Sequence, residues 1–176
     1  MKTGNDKAIV EIQLKRKVRS HIDIRSRCHF SLPVVTFVPP NLDDGTPFPT
    51  TYWLTCPLLV QRVSALEASG MVKVFDEIIQ RKGNLRTLWK KRQKTYKKER
   101  KLLENRSDSI SPKGGVGGTL DHIKCLHAHL ADELATGKNP IGQTIESLIG
   151  GYDCTVPCVK TEGSEIKFNS DWKNKW

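Results

Sequence analysis

The segment TTYWLTCPLLVQRVSALEASG, residues 50–70, sets a strand directly against a helix. Thr50, Thr51, Tyr52 and Trp53 are β-branched or aromatic, residue types that suit a pleated, half-buried surface. Cys56-Pro57 ends that pattern. Proline has no amide hydrogen to leave unpaired, so it suits the first helical turn, and Cys56 falls at the N-cap. Leu58, Leu59, Val63 and Leu66 then recur at helical spacing as far as Gly70. A thiol at such a cap meets free amides and the helix dipole, which favour a thiolate. The competing reading is a small residue buried at a strand–helix corner.

Working outward, residues 22–28 (IDIRSRC) alternate apolar and charged, the pattern of a half-buried strand, and residues 33–38 (PVVTFV) form a β-branched second strand. The short turn between them predicts antiparallel pairing. A stiff proline-rich loop leads to the third strand at 50–55. Residues 7–14 predict a short helix. On the other side, residues 71–81 and 85–105 predict two further helices broken at Gly83-Asn84. The second carries only a thin apolar stripe among many lysines and arginines, so residues 71–105 read as a helical hairpin projecting from the body. Lys90, Lys94, Lys97 and Lys98 on it are candidates for contact with an anionic partner, with Trp89 or Tyr96 stacking on bases if that partner is nucleic acid. A merely solvated face is the alternative.

The chemistry concentrates at residues 114–129, GGVGGTLDHIKCLHAH. Gly114, Gly115, Gly117, Gly118 and Thr119 make a turn whose amides suit an anion, with Lys124 nearby to supply charge. The turn lacks the Lys-Ser/Thr of a Walker A loop, and a flexible hinge explains it equally. Thr119 reads as the N-cap of a helix ending near Thr136. On that helix Cys125 and His129, four apart, share a face, while His127 points about 160° away. Cys125 and His129 can supply two ligands to zinc, with Cys56, Cys28, Cys154 and Cys158 as candidates to complete a tetrahedron. The same atoms allow nucleophilic chemistry, with Cys125 or Cys56 as thiolate and His127 or His129 as base. Plain packing is the third reading. Asn139-Pro140 starts another helix to about residue 149. The polar residues 160–176 predict a mobile tail, in which Trp172 and Trp176 are potential anchors.

Composition bounds these readings. A chain of 176 residues suits one domain, and five scattered cysteines argue for reduced thiols over a disulfide framework. A net charge of +10 favours an anionic partner such as nucleic acid, polyphosphate or an acidic protein. No apolar run approaches the roughly 18 residues of a bilayer span, and the N-terminus lacks the apolar core of a secretory signal. A cytoplasmic protein is expected.

Three stretches, residues 43–70, 114–142 and 153–159, closely resemble the bacterial, largely actinobacterial, domain-of-unknown-function family 501. PFPT followed by LTCP, together with KCLH, carries the likeness. The resemblance implies importance for Pro47, Phe48, Pro49, Thr50, Cys56, Pro57, Lys124, Cys125, His127, Asn139, Pro140 and Gly142, without a reaction. It also implies an encoded neighbourhood of septum formation and polyphosphate hydrolysis, and hence a cell-division protein among conceivable partners.

The combined expectation is a single α+β domain over residues 1–159. A small, mainly antiparallel sheet at residues 22–55 packs against a helical C-terminal half, and a Cys/His site binds metal, with zinc favoured.

Overall fold

In the computed structural model, residues 5–103 and 114–173 are described. The fold is α+β. Helix α1 (Asp6–Leu14) precedes strands β1 (Asp23–Arg27), β2 (Pro33–Phe37) and β3 (Tyr52–Leu54). These pair antiparallel in the order β1-β2-β3, with Asp23 opposite Phe37 and Val35 opposite Leu54. Helix α2 (Pro57–Ala68) starts immediately after β3 with Cys56 as its N-cap. Helices α3 (Met71–Gln80), α4 (Asn84–Lys101), α5 (Leu126–Thr136) and α6 (Pro140–Ile149) follow, and strands β4 (Val159–Glu162) and β5 (Glu165–Phe168) close the chain. No helix among the described residues is long and apolar enough to cross a membrane.

Helix α5 is the hub. It lies against all three strands of the first sheet and packs on α2 and α6. Leu126, Leu130 and Ala131 are fully enclosed there, together with Val34, Leu58, Val63, Ile141 and Ile145. The α5–α6 turn is built by Asn139, whose side-chain oxygen accepts from the Ile141 and Gly142 amides at 3.1 and 3.0 Å. That is the cap-then-proline start read from the sequence.

Three expectations need correction. The hairpin of α3 and α4 does not project: Trp89 and Tyr96 are 1% and 2% exposed and cannot stack on a base. The thin apolar stripe is widened by polar side chains that find polar partners on the body. Arg92 donates to Asp132, the Tyr96 hydroxyl accepts from the Thr51 amide at 2.7 Å, Gln93 accepts from the Val116 amide, and Arg100 donates to the carbonyls of Phe48 and Pro49. Buried polar groups so satisfied serve as core.

Secondly, α5 starts at Leu126, not Leu120. Thr119 does accept from the Asp121 and His122 amides, as a cap would. The next amides are then taken by side chains of other helices: Ile123 donates to Asp76 at 2.8 Å and Leu126 to Glu67 at 2.7 Å. Those bonds hold residues 119–125 out of helical geometry.

Thirdly, residues beyond 159 do not trail. Strands β4 and β5 form an antiparallel hairpin around Gly163-Ser164, with Gly163 at φ +60°, and the hairpin packs on α1. Trp172 folds back into the core, its ring edge against Phe168. Trp176 lies outside the described residues.

Candidate metal centre

Cys125 is the N-cap of α5, in extended geometry (φ −147°, ψ 113°), so its sulfur leaves the chain on a course no helix would give it. His127 lies in the first turn. Both meet one face of α2, along which Val60, Ser64 and Glu67 follow at spacings of four and three. His127 Nδ1 stands 3.2 Å from Glu67 Oε1. Its Nε2 stands 3.2 Å from both the Val60 carbonyl and the Ser64 hydroxyl oxygen. Ligand atoms of Glu67, Cys125 and His127 all lie within 4.8 Å of one another.

The Val60 carbonyl can only accept, and the Ser64 hydroxyl hydrogen is committed to that same carbonyl at 2.7 Å. Nε2 therefore carries a hydrogen. Nδ1 is left facing the Glu67 carboxylate at 3.2 Å, with the Cys125 sulfur in the same group, where it can carry a proton, accept the thiol hydrogen or hold a cation. Burial draws the His127 pKa down, but the Cys125 sulfur and the Glu67 carboxylate outweigh it and raise the pKa to about 9. The side chains of His127 and Glu67 are 25% and 28% exposed, so solvent reaches the group.

The glycine-rich turn packs on this site. Residues Val116–Gly118 form one 3-10 turn, with Gly117 at φ +71°, where an added Cβ would come into contact with Cys125 and Ala128. A Cβ on Gly115 would lie 2.0 Å from the Gln93 side-chain oxygen, so close approach to α4 demands glycine there. The Gly115, Val116 and Gly118 amides donate to Thr119, Gln93 and Gly115, leaving three fewer donors for an anion. Gly114 closes on Gly118 without room for a side chain, and Lys124 is exposed.

His129, the expected partner of Cys125, is fully enclosed and belongs elsewhere. Its Nδ1 meets the Asn139 side chain at 3.1–3.2 Å, and its Nε2 has no hydrogen-bond partner among the described residues. Burial lowers its pKa to about 4. With Cys125 outside the helix, the four-residue spacing no longer sets the two on one face. Cys28, Cys56, Cys154 and Cys158 gather instead around a separate small cavity, and all five thiols are free. Burial pushes the Cys56 thiol up to about 12 despite the amides of α2, so the cap position does not deliver a thiolate.

Lys90, Lys94, Lys97 and Lys98 are exposed on the side of α4 away from Trp89 and Tyr96. Glu67 was not foreseen. The signal was the shared face of Val60, Ser64 and Glu67, which points to a ligand only once the α5 N-terminus is known to abut it.

No curated protein and no solved structure matches the chain. Residues 24–147, which hold all three members of this group, match the family described as "Protein of unknown function (DUF501)". That span covers most of the chain, and the chain belongs to this family.

Proposed function

We propose that the protein binds a zinc ion through Cys125 Sγ, His127 Nδ1 and a Glu67 carboxylate oxygen, with a fourth position open to water or to an oxygen of a substrate. The observation that carries this reading is the hydrogen bond from His127 Nε2 to the Val60 carbonyl. Histidines that ligate metals commonly donate their second ring N–H to a carbonyl, which fixes the tautomer and aims the other nitrogen at the ion. Here that nitrogen stands 3.2 Å from the Glu67 carboxylate, and the Cys125 sulfur completes a group within 4.8 Å, a donor set that suits zinc. Three protein ligands with an open position are the pattern of zinc that acts on a substrate by activating water or polarising a carbonyl.

The test is competitive zinc titration of metal-stripped protein made without a histidine tag. Cys125→Ser and His127→Asn are expected to weaken one zinc site at least about 100-fold, and Glu67→Gln about 10–100-fold. Equal affinity in all four proteins refutes the site.

A second reading uses the same atoms without metal, with Cys125 as nucleophile paired to His127. Its support is the position of the thiol at the N-terminus of α5, beside an imidazole whose pKa is raised. Under this reading Cys125 is alkylated at pH 6 far faster than an ordinary thiol. A rate that follows ordinary thiol ionisation, with the metal removed, rejects it.

A further inference from the structure

Four of the five cysteines converge away from the site just described. Cys28 follows β1, Cys56 caps α2, and Cys154 and Cys158 lie in the irregular chain between α6 and β4. All four line one small cavity with room for about one water-sized sphere, bounded also by Gln13, Tyr152 and Trp172. Thiols recruited from three separate regions of the chain around one void are more than filler, because aliphatic side chains would fill that space with less loss of packing.

The donors around the sulfurs are the second observation. Trp172 Nε1 donates to Cys154 Sγ at 3.3 Å and Gln13 Nε2 to Cys158 Sγ at 3.6 Å. A neutral thiol is a weak acceptor. A metal-bound thiolate is a strong one, and N–H donors to the sulfurs are what tune such centres. The segment that brings Cys154 is itself held in place, since Arg62 of α2 donates to the Ile149 and Gly151 carbonyls and to the Asp153 carboxylate.

We propose that Cys28, Cys56, Cys154 and Cys158 form a four-thiolate site for a single zinc ion, distinct from the Glu67–Cys125–His127 group. This ion fastens residues 150–173 to the body. Binding is redox-neutral: the hydrated ion gives up its waters and each thiol releases a proton to solvent as its sulfur takes a coordination position. Tetrahedral zinc at about 2.3 Å per bond holds sulfurs about 3.8 Å apart. No three of the four sulfurs now lie within 4.8 Å of one another, so loading draws them inward. Cys28 and Cys154 are half-buried and outside regular elements, and their side chains, not the held backbone, make that shift. The two closing ligands fall beyond residue 147, where the family match ends.

Cobalt(II) titration of the metal-stripped full chain tests this. Wild type and Cys125→Ser are both expected to develop the intense visible bands of a four-sulfur cobalt site at about one equivalent, with zinc displacing the cobalt. Cys154→Ser is expected to lose that signature, and Trp172→Phe to keep it with weakened affinity. Hydrogen exchange on wild type gives a readout free of folding defects in the variants: stripping the metal is expected to raise exchange across residues 150–173 more than across α5. Three results overturn the proposal: cobalt bands unchanged in Cys154→Ser, no four-sulfur bands in folded wild type, or iron with acid-labile sulfide in anaerobically purified protein. Loss of zinc in Cys125→Ser with the four-sulfur bands intact separates this site from the first.

Discussion

Replacing Asp132 by asparagine tests how α4 is held, because the carboxylate is the anchor of a buried ion pair between α4 and α5. Arg92 Nε and Nη2 donate to its two oxygens at 2.8 and 2.6 Å, in the forked geometry that guanidinium and carboxylate share. The two side chains are 3% and 1% exposed. Asn139 Nδ2 also donates to Asp132, at 2.8 Å, so the N-cap of α6 joins the same network. An asparagine there removes the charge and turns an NH2 group towards donors. Of its carboxylate partners among the described residues, Arg92 would keep Glu99, which is 38% exposed. Removing one partner of a buried pair strands the other charge and costs about 3–5 kcal/mol. For a chain of this size that is a fall of roughly 10 °C in Tm. Urea unfolding followed by circular dichroism measures it. The double variant Arg92→Met/Asp132→Leu removes both charges and should recover most of the loss, as apolar replacement of such pairs often does. A cost below about 1 kcal/mol for Asp132→Asn, or a double variant no better than the single one, would refute the claim that this pair docks α4.

Two further outcomes follow from the same region. Gly142→Ala places a Cβ 2.3 Å from the His129 carbonyl oxygen and 2.4 Å from Glu133 Cβ, so overpacking of about 1–3 kcal/mol should outweigh the gain in helix propensity; a raised Tm would contradict the close α5–α6 contact. His129 has a folded pKa lowered to about 4, against about 6.5 when unfolded. A depressed histidine must stay neutral in the fold. Its contribution is complete above pH 6.5 and fades as pH falls towards 4, with about 2 kcal/mol gone by pH 5. Comparing urea unfolding of wild type and His129→Gln across that window isolates the effect, and identical slopes would show that His129 is not buried neutral.

Much of the fold was legible because it rests on short-range patterns. The alternation at residues 22–28, the β-branched run at 33–38 and the Cys56-Pro57 and Asn139-Pro140 starts each depend on neighbours a few residues away, and each formed as read. The β4–β5 hairpin carried a local signal too, Gly163-Ser164 as a two-residue turn, but the polar residues around it hid the strands. The candidate site was half legible: Cys125 and His127 stood out as residues, while their geometry did not.

Residue types and spacing by themselves determined the α+β class, the antiparallel sheet, most helix starts and the cluster of Cys and His around residue 125. Tertiary structure alone decided where α5 begins, that α4 lies on the body, and which groups meet. The reason is range. The amides of Ile123 and Leu126 bond to Asp76 and Glu67, and Arg92 bonds to Asp132, across 40 to 59 residues of chain. A polar residue in a sequence window shows that a partner is needed. Only folding supplies the partner, and with it the choice between a solvated lysine-rich arm and a docked helix, or between a Cys–His pair and two separate groups of ligands.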